Sequence, residues 1–355
     1  MNPRLTPLAA AVSVAFVAPA LAQQATPAEL DTVIVSATRF SEPDTNVAAN
    51  VSVITRDDIR NTPARDLPSV LKGSAGVDVR ALYGTLGIDS TVDIRGFGET
   101  AGSNTLILLD GQRMNPIDMG SISWSAIPLD SVQRIEVMRG AGTVLYGDKA
   151  TGGVVNIITD KSGTPRFGAT VGIGSYDTQT VDLNGAFGNE TGYANAFARY
   201  AHTDGWRDNS HAELAALSGR GGLYIGKGEA FLDYAVYKDR SGLPGALLSP
   251  AYQANPQAAA TPNDSQRSDG YRLRPGVALP LTDTLRFEAE VSYDKQDYHA
   301  NFASFSSKSD RTRDNWSVTP RLRWQHGLGS LKSETVAGFD YYSGEVDAAY
   351  TTAAT

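Results

Sequence analysis

The 355-residue chain contains no cysteine, which excludes a disulfide framework, thiol catalysis and a zinc–thiolate site. Histidine is scarce. His202, His211, His299 and His326 stand apart from one another, with no His-Glu-x-x-His pair and no nucleophile elbow, so no hydrolytic or catalytic-metal constellation is legible. A basic excess is also missing: the net charge is −8 and the lysines and arginines are scattered, which argues against a nucleic-acid groove. The glycine-rich stretch 140–153 lacks a phosphate loop, because Gly147-Asp148-Lys149-Ala150 fails the Gly-Lys-Ser/Thr pattern. Tight turns and close backbone approach explain its glycines better. Finally, no apolar run reaches the ~20 residues of a membrane-spanning helix. If the chain enters a membrane, it must cross as a closed sheet of strands.

What is present begins with an export pattern over residues 1–22. Arg4 gives a positive start, Leu8 to Ala18 an apolar run, and Ala20-Leu21-Ala22 a small-x-small cleavage site with Gln23 as the new N-terminus. Residues 23–43 open with a linker composition of Ala, Gln, Thr and Pro. Within them Asp31, Thr32, Val33, Ile34, Val35, Ser36, Ala37 and Thr38 read as one extended segment with no visible partner.

Residues 44–160 read as a small α+β domain. Ser52-Val53-Ile54 is strand-like, and Asp57 is placed to cap a short helix reaching Asn61. Leu67 to Leu71 starts another helix, with Gly73 and Gly76 placed to end it. Thr105 to Leu109 is an apolar strand that meets Asp110-Gly111, a strong two-residue hairpin signal, before Gln112 to Asn115 returns. Ser131 to Met138 and Gly153 to Thr159 complete the strands.

From residue 161 to 355 the pattern becomes long and alternating. Leu285, Phe287, Ala289, Val291 and Tyr293 are apolar, with Arg286, Glu288, Glu290 and Ser292 between them. Such period-two alternation turns one face to an apolar phase and the other to water. A soluble sandwich gives the same pattern, but these strands have the length of tilted bilayer crossings, well beyond the usual 5–6 residues. Connections also alternate: tight turns at 188–191, 226–228, 282–284 and 327–329 face long polar loops at 204–215, 240–270 and 298–311, as in outer-membrane barrels. Tyr200, Trp206, Tyr237, Tyr298, Trp316 and Tyr341 near strand ends suit an interfacial girdle. About nine strands follow Phe167 with no closing signal, whereas a bacterial barrel has an even number and no open edge. The expectation is an N-terminal fragment of a longer protein.

Several motifs occur together and in order. Asp31-Thr32-Val33-Ile34-Val35-Ser36-Ala37-Thr38-Arg39 resembles a TonB box, and Thr91 to Gly98 an Ile-Arg-Gly plug motif. Leu106 to Gly111 resembles the plug's central strand and turn. Arg134 to Gly140, followed by Leu145-Tyr146-Gly147 and Gly152 to Thr159, resembles the plug's most specific signature. Ala141, where proline is common, and Lys149, in a usually neutral spot, are small departures. Through these residues the chain resembles the TonB-dependent outer-membrane receptors across its whole length after the export signal.

The resemblance implies an α+β plug domain followed by part of a transmembrane antiparallel β-barrel. It implies a pull on residues 31–39 by the inner-membrane TonB–ExbB–ExbD complex, in a receptor set in outer-membrane lipid, with no resident cofactor. An exposed extended segment suits that role, because it can add as an edge strand to a partner's sheet. The transported small molecule is expected to be an iron chelate, a ferric siderophore, with cobalamin next and then haem or oligosaccharide. A passive porin, or a phage or bacteriocin receptor, are the rival classes. Arg95, Glu136 and Arg139, charges amid apolar strands, are expected in intra-plug or plug-to-wall salt bridges. Tyr83 in loop 81–90, and Asn115 and Trp124 bounding loop 115–124, are candidate ligand contacts at the plug apex.

Overall fold

The computed structural model describes residues 34–35, 42–43, 50–81, 85–118, 120–328 and 331–352. Strands β1 (Ile34–Val35) and β2 (Glu42–Pro43) form a short antiparallel pair, with Ile34 opposite Pro43 and Val35 opposite Glu42. The coupling segment therefore has an internal partner at these two residues, contrary to the expectation of an unpaired stretch. Asp31, Thr32, Val33, Ser36, Ala37 and Thr38 lie outside the described residues, as does the export signal.

In the plug, β3 (Asn50–Thr55) runs into α1 (Arg56–Asn61). The cap is Thr55, not Asp57. Its hydroxyl accepts from the Asp58 N–H at 3.2 Å, and Asp58 accepts from the Thr55 N–H at 2.9 Å, a reciprocal capping box. Asp66 caps α2 (Leu67–Lys72) by accepting from the Ser69 N–H at 2.8 Å. A hairpin of β4 (Val77–Ala81) and β5 (Ser90–Ile94) follows. The central sheet has β6 (Thr105–Leu109), β7 (Gln112–Arg113), β8 (Val132–Arg139) and β9 (Gly153–Thr159) with β3, in the order β3-β8-β9-β6-β7. Only β6 and β9 pair in parallel. A one-turn helix, α3 (Thr143–Tyr146), lies between β8 and β9. The core gathers Leu71, Ile94, Ile107, Ile135, Val137, Val155 and Ile157, all essentially water-free. The central strands β6 and β9 are buried on both faces, with Leu106, Ile107 and Leu108 in one and Val154, Val155 and Ile157 in the other almost fully shielded, so the hydrophobic effect holds them at the centre of the sheet. Close approach accounts for two glycines, since a Cβ at Gly153 would lie 2.6 Å from the Met138 carbonyl oxygen and one at Gly152 2.7 Å from that of Ile94.

The remainder is one antiparallel sheet: β10 (Arg166–Gly174), β11 (Thr178–Gly188), β12 (Gly192–Thr203), β13 (Ala212–Ile225), β14 (Gly228–Gly242), β15 (Ser265–Pro280), β16 (Leu285–Phe302), β17 (Ser307–Val318), β18 (Arg321–Leu328), β19 (Leu331–Gly338) and β20 (Tyr341–Thr352). A short helix, α4 (Ser249–Ala254), sits in the long loop before β15. β17 and β18 both pair with the same side of β16, and β20 and β19 pair with them in turn. The eleven strands thus form nine staves, because two staves are interrupted near Pro320, which has no N–H to donate to a ladder.

Tight connections at one end alternate with longer ones at the other, at 204–211 and 243–264. The expected loop at 298–311 is a correction: β16 continues to Phe302 and β17 resumes at Ser307. Over this stretch the outward residues His299, Asn301, Lys308 and Asp310 are polar and the buried inward ones, Ala300 and Ser309, are small, so the apolar–polar alternation is lost although the strands continue.

The sheet's two faces invert the pattern of a soluble protein. Outward-pointing Phe167, Val171 and Ile173 on β10 are 81%, 74% and 83% exposed, while Arg220, Arg274 and Arg313 point inward and are buried. Apolar outside and polar inside is the arrangement of a membrane barrel wall. Tyr271, Tyr293 and Trp316 cluster on the outer face, with ring centroids 5.8 and 4.5 Å apart, as a girdle requires. Tyr200 and Tyr341 are exposed on the wall, and Trp206 is exposed in loop 204–211. Tyr237 and Tyr298 do not belong to the girdle: their hydroxyls point inward, to Ser123 of the plug and Gln266 of the wall, both at 2.8 Å.

Candidate functional site between plug and barrel wall

The Asp110-Gly111 turn between β6 and β7 attaches the plug to the wall through a network of buried charges. Both residues have positive φ, 52° and 82°, the conformation of a type I′ hairpin, in which glycine carries no steric penalty. The turn presents the Asp110 carboxylate to the Thr159 N–H at 2.9 Å, the Thr159 hydroxyl at 2.6 Å, Lys161 at 3.4 Å and Arg274 of β15 at 3.2 Å. Arg274, 4% exposed, also donates to the Leu109 carbonyl at 3.2 Å and to Asp233 of β14 at 2.7 Å. Arg220 of β13 shares Asp233 and stacks 3.8 Å above the Phe231 ring. Alternating cations and carboxylates give each buried charge a partner, without which burial costs several kcal/mol.

Burial pushes the Asp110 carboxyl up, but Lys161 and Arg274 more than offset it and hold it below the ordinary carboxylate range. A carboxylate with a depressed folded pKa contributes stability above its unfolded value of ~3.9, and loses it as pH falls through the folded one. Hydrogen-exchange protection of the Thr159 amide should therefore stay constant from about pH 8 to about pH 5, after correction for intrinsic exchange. Loss of protection near neutrality would show that the anchor is not charged in this way.

Further attachments flank this one. Gln112 donates to Glu290 at 2.7 Å and to the Thr319 hydroxyl at 3.0 Å. Asp118 accepts from Arg313 at 2.9 Å, and Arg313 also donates to Gln296 at 2.6 Å. Burial raises the Asp118 carboxyl, yet the bond and charge of Arg313 bring it below the usual range. Asp160, at the plug's exit, binds Arg56 at 2.6 Å and Arg166 of β10 at 2.8 Å.

Near the loop end of the wall lies a polar cavity of about 210 Å³. The plug contributes Asp89, Ser121, Ser123 and Trp124; β14 to β17 contribute Asp239, Gln266, Gln296, Tyr298, Arg311 and Arg313. Burial pushes the Asp89 carboxyl up, and hydrogen bonds from Gln266 and Ser121 only partly offset it. The Arg311 Nε is buried with no hydrogen-bond partner among the described residues. With carboxyl, amide, hydroxyl and guanidinium groups, this cavity can recognise a polar ligand held between plug and wall.

The expected ligand contacts fall differently. Plug segments 88–89 and 120–125 do meet at this cavity, but Tyr83 lies outside the described residues. Asn115 is buried, accepting from the Ile107 N–H at 2.7 Å and donating to the carbonyls of Thr105 and Gly102 at 2.9 and 3.1 Å. Its polar atoms hold the plug's own backbone together. Trp124 is 4% exposed and donates to the Ser90 carbonyl at 2.8 Å, so its ring floors the cavity from the core and its N–H is already used. Asn115→Ala should cost the plug about 1–3 kcal/mol through orphaned backbone groups, with ligand affinity unchanged. Weaker binding at unaltered thermal stability would restore Asn115 to the ligand site.

Two of the three signature charges, Glu136 and Arg139, have their partners within the plug itself. Glu136 is buried and pairs with Arg134 at 2.9 Å. Arg139 makes hydrogen bonds, to the Ala75 carbonyl at 2.7 Å and the Ser52 and Ser74 hydroxyls at 2.6 and 3.2 Å, and no ion pair among the described residues. Arg95 is exposed, with φ 75° and no ion pair among the described residues. Asp110, Gln112, Asp118, Arg274 and Arg313, which bridge plug and wall, were not marked for that role by the sequence.

Comparison with known proteins agrees with this architecture. Residues 43–154 match the family model described as the TonB-dependent Receptor Plug Domain. The Vitamin B12 transporter BtuB of Vibrio cholerae serotype O1 is 40% identical over 164 residues, which are 46% of this chain and 26% of that protein. Among solved structures, the unliganded ferric citrate transporter FecA superposes with a TM-score of 0.74 at 21% identity, over 86% of this chain and 49% of that one. The ferripyoverdine receptor of the Pseudomonas aeruginosa outer membrane, bound to ferripyoverdine, gives 0.75 at 16% identity, over 90% and 45%. The chain thus spans about a quarter of the curated relative's length and about half that of the structural matches. With its motifs in order and a lipid-facing wall around it, the segment 43–154 is a TonB-dependent receptor plug domain, and the chain as a whole is similar in fold to TonB-dependent outer-membrane receptors.

Proposed function

We propose that this chain forms the plug and first staves of a receptor that takes up a scarce ligand across the outer membrane, using work delivered by the TonB–ExbB–ExbD complex to residues 31–39. The observation that carries the proposal is the plug's anchorage through Asp110, Arg274 and Asp233. A lumen held shut by buried ion pairs needs external work to open, whereas a passive pore would have no use for such an attachment. The ligand settles in the polar cavity beneath the loops, and its differential affinity shifts the population toward a state in which the coupling strand is released. Pulling that strand then remodels the plug.

A ferric siderophore is the leading ligand class, in keeping with the ferripyoverdine-bound structural match. Cobalamin is the second, favoured by the name of the 40% identical relative. The full-length receptor, expressed in an iron-starved host lacking its own siderophore and cobalamin receptors, separates them. Uptake of labelled ferric siderophore that excess cobalamin does not inhibit supports the first class, and the converse supports the second. Uptake of neither, with the protein present at the surface, would remove both.

A further inference from the structure

On the outer face of the wall, strand parity places Arg240, Arg267 and His299 in one cross-strand row near the loop end, with Arg267 opposite both of the others in the register. Lys308 lies two residues beyond Asp310, the next member of that row, on the same face. With His211, these side chains line an outward cavity of about 560 Å³ that holds five basic residues and a single acidic one. Some of this charge is balanced: Glu213 pairs with Arg240, and Asp310 with His299 at 2.6 Å. Asp269 and Asp297 lie one row nearer the apolar band, opposite each other, and Lys238 is opposite Asp269. Arg267 and Lys308 are exposed and have no acidic partner among the described residues.

Height decides what these cations meet. Along β15, Tyr271 of the girdle is four residues from Arg267. At ~3.3 Å per residue and ~45° of tilt, the guanidinium stands roughly 9 Å above the aromatic ring. That is about the depth of a headgroup layer, given the difference between a ~30 Å hydrocarbon core and a ~45 Å bilayer. A free anion gains nothing from this placement. A lipid's acyl chains, packed on the apolar band below, hold its phosphate at this level, where guanidinium and ammonium groups bind phosphate oxygens.

We propose that this outward basic pocket binds the phosphate of an anionic lipid in the leaflet on the loop side, with Arg267 and Lys308 as its principal contacts. The proposal rests on the membrane-embedded reading of the sheet. It is tested on the full-length receptor in phosphatidylcholine nanodiscs. The discs are doped with bisphosphorylated lipid A, doped with the same lipid after dephosphorylation, or left undoped with millimolar inorganic phosphate.

Phosphorylated lipid A should raise the unfolding temperature by several degrees. The Arg267→Gln/Lys308→Gln variant should lose most of that rise, and Arg267→Lys/Lys308→Arg should keep it. An equal rise with dephosphorylated lipid, an equal rise with inorganic phosphate, or a full rise in the double Gln variant would each overturn the proposal. If the double Gln variant is unstable in undoped discs, each single Gln variant is read the same way. A receptor that does not enter undoped discs overturns the membrane reading as well. One that enters them but ignores lipid phosphate overturns the lipid site alone.

Discussion

Val35→Pro in the full-length receptor is expected to reduce ligand uptake to the level seen without energy, while ligand binding at the cell surface stays at its normal affinity. Val35 lies in β1, opposite Glu42. To take a pull, this strand must pair with a partner's sheet through its main-chain groups. Proline removes one N–H and fixes φ, which disfavours a strand that must donate along its edge. The ligand cavity is built by plug segments 88–89 and 120–125 and by β14 to β17, none of which contains residue 35. Binding and transport should therefore separate cleanly. A Val35→Ala control keeps the N–H and should keep most of the uptake. Normal transport by the proline variant would show that the coupling segment is not where force enters.

Arg274→Met is the second change with a large expected effect. The methionine is close to arginine in length, but among the described residues it leaves Asp110 with Lys161 and Asp233 with Arg220 as the remaining ion-pair partners. Removing one member of a buried ion-pair network costs about 3–5 kcal/mol. The plug should loosen from the wall, lowering the unfolding temperature and letting small hydrophilic antibiotics leak through cells that carry the variant. Lys227→Gln gives the contrast. Its partner Asp283 lies 3.4 Å away and both side chains are almost fully exposed, so no measurable change is expected. If Arg274→Met proves as stable and as tight as Lys227→Gln, the Asp110 anchor does not hold the plug.

Local order was legible in the residues, whereas most long-range polar contact was not. The apolar run Thr105–Leu109 with its Asp-Gly turn, the strand at Gly153–Thr159 and the alternation of β16 follow from period and turn chemistry alone. The Thr55 cap was readable too, since a threonine followed three residues later by an acid is a capping-box signature. The bond between Asp110 and Arg274 joins residues 164 apart in sequence, and nothing local to either names the other. One clue existed: Arg220, Asp233 and Arg274 occupy inward positions of alternating strands, where buried charges must find one another. Asn115 and Trp124 illustrate the opposite limit, although Trp124 still lines the cavity. A polar or aromatic side chain near an apex looks free for a ligand until the backbone groups it satisfies are known. The stretch 298–311 reads as a loop because its outward residues are polar and its inward Ala300 and Ser309 are small, which erases the alternation while the strands continue.

Uptake of labelled ferric siderophore and cobalamin by cells carrying the full-length receptor, measured before and after the proton gradient is collapsed, addresses the need for external work most directly. Collapse should bring accumulation of the accepted ligand down to what is merely bound at the surface. Entry at an undiminished rate would mean that the plug opens unaided and that the anchored, force-opened pore described here is wrong.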